Sequence, residues 1–540
     1  MLRTPADLAA ARYDLLIVGG GIHGLFAAYD AADRGLSVAL VDQADFGSGL
    51  SFNHQRTIHG GLRALESGHV GKARAHMHER RTWARMAPHL IRPLPFLVGT
   101  YRFSRRSRWI LRAGFAAYDL IGRSRNHGIS PELHMPKAKL ESTAATRRLF
   151  PGIVEDRLAG GAVWYDYQTR HPDRLNWTVA LAARRAGATL ANYVEAIAPL
   201  KDGSRIAGAR VRDRITGREQ DVQATVTLLA AGSGLGAVHA AFGTNGAPPL
   251  VRAMNLLLDR PARDIATAAP GRSGRMLTAV PWRGFVLVGT HQSPEPVTIQ
   301  ESAPPPAVID EFLADVNAAF PRLAATRRDI RLVHHGLTPA VVRSGRAELL
   351  PEPLVIDHQR QGTAGLVSLV GVKFTTARVA AEHAVDRVGH LLGKPRTRCR
   401  TGDVALPFAE IADVEGRLVE TLRELGTPLD REVIDHLTSW YGTEAADVVR
   451  FAAAEDQLAR VSPEHPVLRG EIAYAARHAQ AARLSDAVLR RTPLGSAGHP
   501  GADALSQAAS LMAGALGWND ARRAEEIALV ERVYPASTAP

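Results

Sequence analysis

The chain has 540 residues, 46% of them hydrophobic and 22% charged, which excludes a disordered chain and leaves room for about three domains of ~150 residues each. Its formal charge of +12 comes mostly from arginines spread along the whole sequence. That suits an anionic substrate or an acidic membrane surface and offers no clustered patch for nucleic acid. The single cysteine, Cys399, excludes an internal disulfide and thiolate metal sites, and no run of about 20 apolar residues occurs, so a cytoplasmic chain with no metal and no spanning segment is expected.

Residues 13–42 read as one βαβ unit. A strand at 14–18 runs into Gly19-x-Gly21-x-x-Gly24, a small-residue helix follows to Arg34, and a second strand at 37–41 ends at Asp42. Gly19 permits a tight turn, Gly21 lets the backbone approach a diphosphate, and Gly24 lets helix and strand pack closely, so the anion meets free N–H groups at a helix N-terminus. Asp42 lies 18 residues past Gly24, near the ~20-residue spacing of a carboxylate that binds an adenosine ribose.

Further along, apolar strands at 225–230 and 366–370 run into Ala231-Gly232-Ser233-Gly234 and Gly371-Val372-Lys373-Phe374-Thr375-Thr376, the pattern of buried parallel strands. Between them, residues 285–291 and the Pro-rich loop at 304–306 read as strands and turns of an antiparallel sheet, an inserted substrate domain. Thr375 and Thr376 can cap a helix running on through Val379 and His383, which brings a cation and a helix N-terminus together. Past residue 400 the pattern turns helical. Ile472, Ala475, Ala476, Ala479 and Ala482 recur at helical spacing, and Leu489-Arg490-Arg491-Thr492 closes that helix.

Together with Ile58-His59-Gly60-Gly61-Leu62-Arg63, Met86-Ala87-Pro88-His89-Leu90, Pro281-Trp282, Gly289-Thr290 and Asp486-Ala487-Val488-Leu489-Arg490-Arg491-Thr492, these segments resemble the flavin-dependent glycerol-3-phosphate dehydrogenases from about residue 13 to about residue 530. The resemblance implies an α/β fold: an FAD-binding Rossmann-like domain of the glutathione-reductase type, similar to D-amino-acid oxidase, over 13–95, 155–240 and 340–395; an inserted mixed or antiparallel β substrate domain over 96–154 and 241–339; and an all-α domain over 400–540. It also implies bound FAD and oxidation of sn-glycerol 3-phosphate, or a related phosphorylated or acidic polyol, to the ketone. Electrons would pass to quinone or another acceptor, with peripheral contact on the cytoplasmic face of the inner membrane and a homodimer as further expectations.

Hydride transfer from a secondary alcohol needs a base for the hydroxyl proton and positive charge near the flavin pyrimidine. Lys373 is the candidate cation. His59, ahead of two glycines that leave room for a ligand, is the candidate base or substrate hydrogen-bonding group, and His334 and His335 compete for that role. Arg63 offers a planar fork for phosphate or carboxylate, and the resemblance places an arginine there near the substrate. The expected FAD contacts are Gly19, Gly21, Gly24, Asp42, Ser51, Gly232, Lys373 and Thr375; the expected substrate contacts are Arg63, His334, Arg343 and Thr376.

Departures from the family pattern bear on the substrate. Where the family carries Gly-x-Arg-Pro, the chain has Gly336-Leu337-Thr338-Pro339; the tyrosine after Arg63 is Ala64; and Ser51-Phe52-Asn53-His54-Gln55-Arg56 replaces a serine-rich stretch. At ~1.5–3 kcal/mol per charged hydrogen bond, a dianion would be held more weakly by a few kcal/mol, unless Arg343, Arg346, Arg56 or Arg283 substitutes. An FAD-dependent amino-acid or hydroxy-acid oxidase is therefore the alternative, followed by a flavoprotein of altered specificity and an NAD-binding dehydrogenase.

Overall fold

The structure, a computed structural model, describes residues 5–102, 108–410 and 413–535. Strand β1 (Tyr13–Val18) carries one charged residue, Asp14, and is otherwise buried. It pairs in parallel with β2 (Val38–Val41) on one side and with the later half of Glu219–Leu229 on the other. The sheet runs Leu354–Asp357, Leu366–Val370, Glu219–Leu229, β1, β2, Thr189–Ala191; its first strand is antiparallel to the second, and the others are parallel.

Chain order reverses across the pair formed by β1 and Glu219–Leu229, so a crevice opens at their carboxyl ends, the place where such sheets bind ligands. Helix α1 (Ile22–Asp33) packs against Ala377–Leu391 and Pro172–Arg185, and Ala27, Ala28, Ala31 and Ala32 permit their close approach. The other face is covered by the hairpin of Val194–Asp202 with Arg205–Asp213 and by the helix Leu235–Phe242.

The strand expected at 225–230 begins earlier, at Glu219, because its first half pairs antiparallel with Arg205–Asp213 before its second half joins the parallel sheet.

A second sheet runs Arg346–Leu349, Ile330–Arg343, Leu250–Pro261, Phe285–Gln292, Met276–Trp282, Ala266–Pro270, Ile91–Tyr101, Leu158–Thr169, Thr57–Ile58. It is antiparallel apart from the pairing of Ala266–Pro270 with Ile91–Tyr101. The Pro-rich loop at 304–306 does not continue the sheet as expected. Pro306 instead occupies the first turn of a helix, Pro306–Ala319, where its missing N–H costs nothing.

Helices between Val414–Glu424 and Asp520–Glu531 form the C-terminal body, which packs on Leu257, Trp282, Leu287 and Leu332 of the second sheet. The single helix expected from Ile472 to Thr492 is broken. Arg469–His478 ends, Gln480 adopts a left-handed φ of +53°, and the chain restarts at Leu484–Asp486 and a π-helical turn at Ala487–Arg491. The cause is Asp486, whose carboxylate accepts the N–H groups of Ala482 and Arg483 at 2.9 Å each and so starts a new helix.

Candidate active site at the carboxyl edge of the parallel sheet

The first turn is built for close backbone contact. Gly19 has φ +116°, and a Cβ there would lie 2.5 Å from the Ala230 carbonyl oxygen, while a Cβ on Gly24 would overlap the carbonyl oxygen of Gly19. Ser51 Oγ accepts the N–H of Ile22 at 2.9 Å, one of the four first-turn donors of α1 that the helix itself cannot satisfy. Across the crevice Gly232 adopts φ +55° with no atom within 4 Å of where a Cβ would stand.

Asp42 ends β2 with one carboxylate oxygen accepting from Gly20 N–H (2.6 Å) and the other from Ala44 N–H (2.8 Å), and burial pushes its pKa up to about 6. Each oxygen keeps a further lone pair for a ribose hydroxyl.

His23, in the first turn of α1, is a contact that sequence reasoning missed. Its ring presses against Gly371, where a Cβ would collide with the imidazole. Its Nε2 is buried with no partner, and burial lowers its pKa to about 4. A buried imidazole packed on Gly371 with its Nε2 unpaired, open space at Gly232 and a helix N-terminus beneath fits a bound dinucleotide.

Gly371 ends the strand Leu366–Val370, and Lys373 follows it with an accessible side chain. Desolvation and then the neighbouring Lys72 ammonium lower the pKa of Lys373 below the usual lysine value. Thr376 stands at the start of Ala377–Leu391, but its side chain makes no capping bond. The expected cap at Thr375 is absent for a specific reason: its Oγ1 accepts the N–H of His59 at 3.1 Å, and its carbonyl accepts Trp83 Nε1–H at 3.0 Å. These two bonds tie the Lys373 loop to the histidine loop.

His59 follows the short strand Thr57–Ile58 and is 57% exposed, with Nδ1 3.5 Å from Asp166 Oδ2. Asp166 is buried in Leu158–Thr169 and accepts from Gly60 N–H and from Arg80 Nη1, each at 2.7 Å. Its pKa is lowered, the bonds from His59 and Arg80 outweighing burial. The carboxylate thus stays ionised beside Nδ1 of the largely exposed His59 ring. Gly60 must be glycine because a Cβ would overlap the Arg80 guanidinium and the Tyr118 hydroxyl. Asp166 and Arg80 were not singled out from sequence; the available signal was an acid within a largely buried strand.

His334 is arranged differently. It is buried, with Nε2 3.2 Å from Arg56 Nη2 and Nδ1 3.1 Å from Asn53 Oδ1. Because a guanidinium can only donate, Nε2 accepts and Nδ1–H donates. Burial and the adjacent Arg56 hold the pKa of His334 well below its ordinary value. Both nitrogens are occupied, which leaves none for a substrate proton. His335 keeps a buried, unpartnered Nδ1, as does His54 its Nε2, and the His54 ring stacks on Phe374 with centroids 4.4 Å apart.

Of the arginines that could replace Thr338, Arg56 and Arg283 are committed elsewhere, and Arg343 and Arg346 stand exposed on a hairpin. Arg343 is 67% exposed on a hairpin, 3.9 Å from Glu348, and Arg346 is exposed on the same hairpin. Arg56 donates to the carbonyls of Phe52 and His54 and stacks 4.5 Å from the Trp282 ring. Arg283 donates to Ser496 and contacts His171 Nδ1 at 3.1 Å. Thr338 itself is buried against Val251. Arg63 lies in the helix Leu62–Glu66 after His59, and its side chain lies outside the described atoms.

Among the described residues no group of His, Cys, Asp and Glu side chains is arranged to hold a metal, and no helix is long and apolar enough to cross a membrane.

The profile of the family described as "FAD dependent oxidoreductase" matches residues 14–387, and that of the "C-terminal domain of alpha-glycerophosphate oxidase" matches residues 399–523. "Glycerol-3-phosphate dehydrogenase 2" of Mycobacterium tuberculosis is 31% identical over 539 residues, spanning 96% of this chain and 88% of its own. "Glycerol-3-phosphate dehydrogenase" of Synechocystis is 28% identical over 512 residues, 91% of either chain. The structure of glycerol-3-phosphate dehydrogenase from Bacillus halodurans complexed with FAD superposes with a TM-score of 0.74 at 22% identity, over 98% of this chain and 95% of that one. That likeness shows the same fold. FAD is the cofactor of the matching family, which sets the NAD alternative aside.

Proposed function

Because the chain belongs to the FAD-dependent glycerol-3-phosphate dehydrogenase family, we propose that it oxidises the secondary hydroxyl of sn-glycerol 3-phosphate, or of a related phosphorylated or acidic polyol, to the ketone. When bound, FAD supplies the hydride acceptor. Gly19, Gly21, Gly24, Ser51, Asp42 and Gly232 would hold its nucleotide portion, and Lys373 and Thr375 its ring. His59 takes the hydroxyl proton on Nε2, and Asp166, fixed by Arg80, stabilises the imidazolium that results. Lys373 supplies positive charge beside the reacting centre. Arg63 and Thr376 are the remaining candidates to hold the substrate's anionic arm. The observation that carries this reading is the pairing of His59 with a buried carboxylate on a loop tied to the Lys373 turn.

The commitment of Arg56 and Arg283 to other partners, with Arg343 and Arg346 exposed on a hairpin, favours a second reading, in which the substrate carries a single carboxylate and the enzyme is a hydroxy-acid or amino-acid oxidase. Peroxide release under air with such donors, and none with glycerol 3-phosphate, would select it.

Lys373 gives a pH test. Its pKa lies below 10.5, so the cation is lost, and the flavin-reduction rate falls, earlier in an alkaline titration than for an ordinary lysine. In Lys373→Arg that alkaline limb should vanish, since a guanidinium stays charged there. An unchanged limb in the variant would show that another group titrates.

Electron transfer to quinone calls for contact with a membrane. The helix Arg108–Ile121 exposes Ile110 (57%) and Leu120 (70%) on one side, with Arg112 and Arg123 also exposed, the character of an interfacial helix on an anionic leaflet. Ile110→Glu with Leu120→Glu should abolish sedimentation with anionic vesicles at low salt, and binding equal to that of the unsubstituted chain would remove this surface.

A further inference from the structure

The loop at residues 44–51 forms the outer wall of the first glycine turn. Gly47 N–H donates to the Gly20 carbonyl at 2.9 Å, a Cβ on Gly20 would stand 2.6 Å from the Phe46 ring, and Ser51 binds the first turn of α1. Asn176 donates to the Ser51 carbonyl at 2.9 Å and lies flush against Gly47. At the centre of this wall Asp45 is fully buried, and its partners come from far along the chain.

Arg490 Nε (2.6 Å) and Arg491 Nη1 (2.9 Å) donate to one oxygen of Asp45, and Arg491 Nη2 (2.7 Å) and Asn192 Nδ2 (3.0 Å) donate to the other. The second guanidinium nitrogen of Arg490 donates to Asp486 at 2.6 Å, as does Tyr193 OH at 2.6 Å. Arg491 is further fixed by the Ala479 carbonyl at 2.8 Å and by the Trp177 ring 4.5 Å away. Two carboxylates face two guanidiniums, so the cluster is neutral and each charge is paired.

Buried ion clusters gain little stability over apolar packing of the same volume, but they tolerate one geometry. This one joins the C-terminal helices to the wall of the cofactor turn within two contacts: Arg491 to Asp45, and the adjoining Phe46 and Gly47 to Gly20. We propose that the C-terminal body clamps the FAD-binding turn through this cluster, with Asp45, Arg490 and Arg491 as positioning residues that set how tightly FAD is held without touching its reactive ring.

The test compares FAD dissociation constants of the full-length apoprotein, read by flavin fluorescence, with the melting temperature of the same apoprotein. The double variant Asp45→Asn with Arg491→Gln removes one partner from each side and keeps the cluster neutral. It should bind FAD about tenfold more weakly or worse, an effect of the size seen when groups that orient direct contacts are removed. Glu471→Gln removes the charge from the buried bond to His436 inside the C-terminal body and serves as comparison, with FAD affinity unchanged despite a lower melting temperature. FAD affinity within twofold of the original in the double variant would overturn the proposal, and so would losses that track melting temperature equally in both variants. If the double variant does not fold, Arg491→Lys decides, because an ammonium cannot reach both oxygens of Asp45: weaker FAD binding supports the clamp, and unchanged binding refutes it.

Discussion

Substitution of His59 by glutamine should lower the rate of anaerobic flavin reduction by ~10²–10⁴-fold, the range for loss of a positioned base, or about 3–5 kcal/mol of barrier. KM should move little, because the hydroxyl proton is transferred only as the C–H bond breaks. Asp166→Asn should share much of that loss. It removes the buried carboxylate that lies beside Nδ1 and stabilises the imidazolium. Asp166→Asn also leaves the buried Arg80 guanidinium without its carboxylate, so stability must be measured beside rate. The distinguishing readout is the double variant: if the two residues act as one unit, His59→Gln in the Asp166→Asn background adds almost nothing. Stopped-flow reduction of either single variant within fivefold of the original rate would place the base elsewhere, with His335 and its unpartnered Nδ1 the next choice.

Gly24→Val should yield a protein that retains no flavin. A Cβ at this position overlaps the Gly19 carbonyl oxygen, and backbone cannot yield as a side-chain tip can. The α1 N-terminus would have to move away from the turn, and with it the N–H groups offered to the diphosphate. Absorbance of the purified variant, with circular dichroism to confirm that it has folded, measures this directly. A yellow Gly24→Val protein with the original FAD affinity would contradict the placement of the diphosphate.

The parallel sheet and its glycine turn were legible in sequence because their signals are local. An apolar strand, three spaced glycines and a terminal acid lie within thirty residues, and Gly19, Gly24 and Asp42 sit where that pattern places them. The partners of the candidate catalytic residues were not legible, because contacts between segments about a hundred residues or more apart leave no local trace. His59 meets Asp166 through the pairing of Thr57–Ile58 with Leu158–Thr169 inside the second sheet, and Thr375 only once that sheet lies over the first. Asp45 meets Arg490 and Arg491 across most of the chain.

Other elements were hidden by competition between local and tertiary preference. The break at Ala479 follows from one buried carboxylate, Asp486, winning over the alanine-rich helical period. Thr375 failed as a helix cap because a more distant N–H took its hydroxyl. His334 and His335 looked equivalent in sequence; one strand position apart, they face opposite sides of the sheet, and only His334 is saturated by Arg56 and Asn53.

The central claim is that a phosphorylated or acidic secondary alcohol reduces FAD held at the carboxyl edge of this sheet. Anaerobic addition of sn-glycerol 3-phosphate, glycerol, glycerate and a set of amino acids to the flavin-loaded protein tests it most directly. The account predicts that glycerol 3-phosphate, or another acidic polyol in the panel, bleaches the oxidised-flavin absorbance band while glycerol and the amino acids do not. A flavin that dithionite bleaches but that only an amino acid, or none of these donors, can reduce would contradict it.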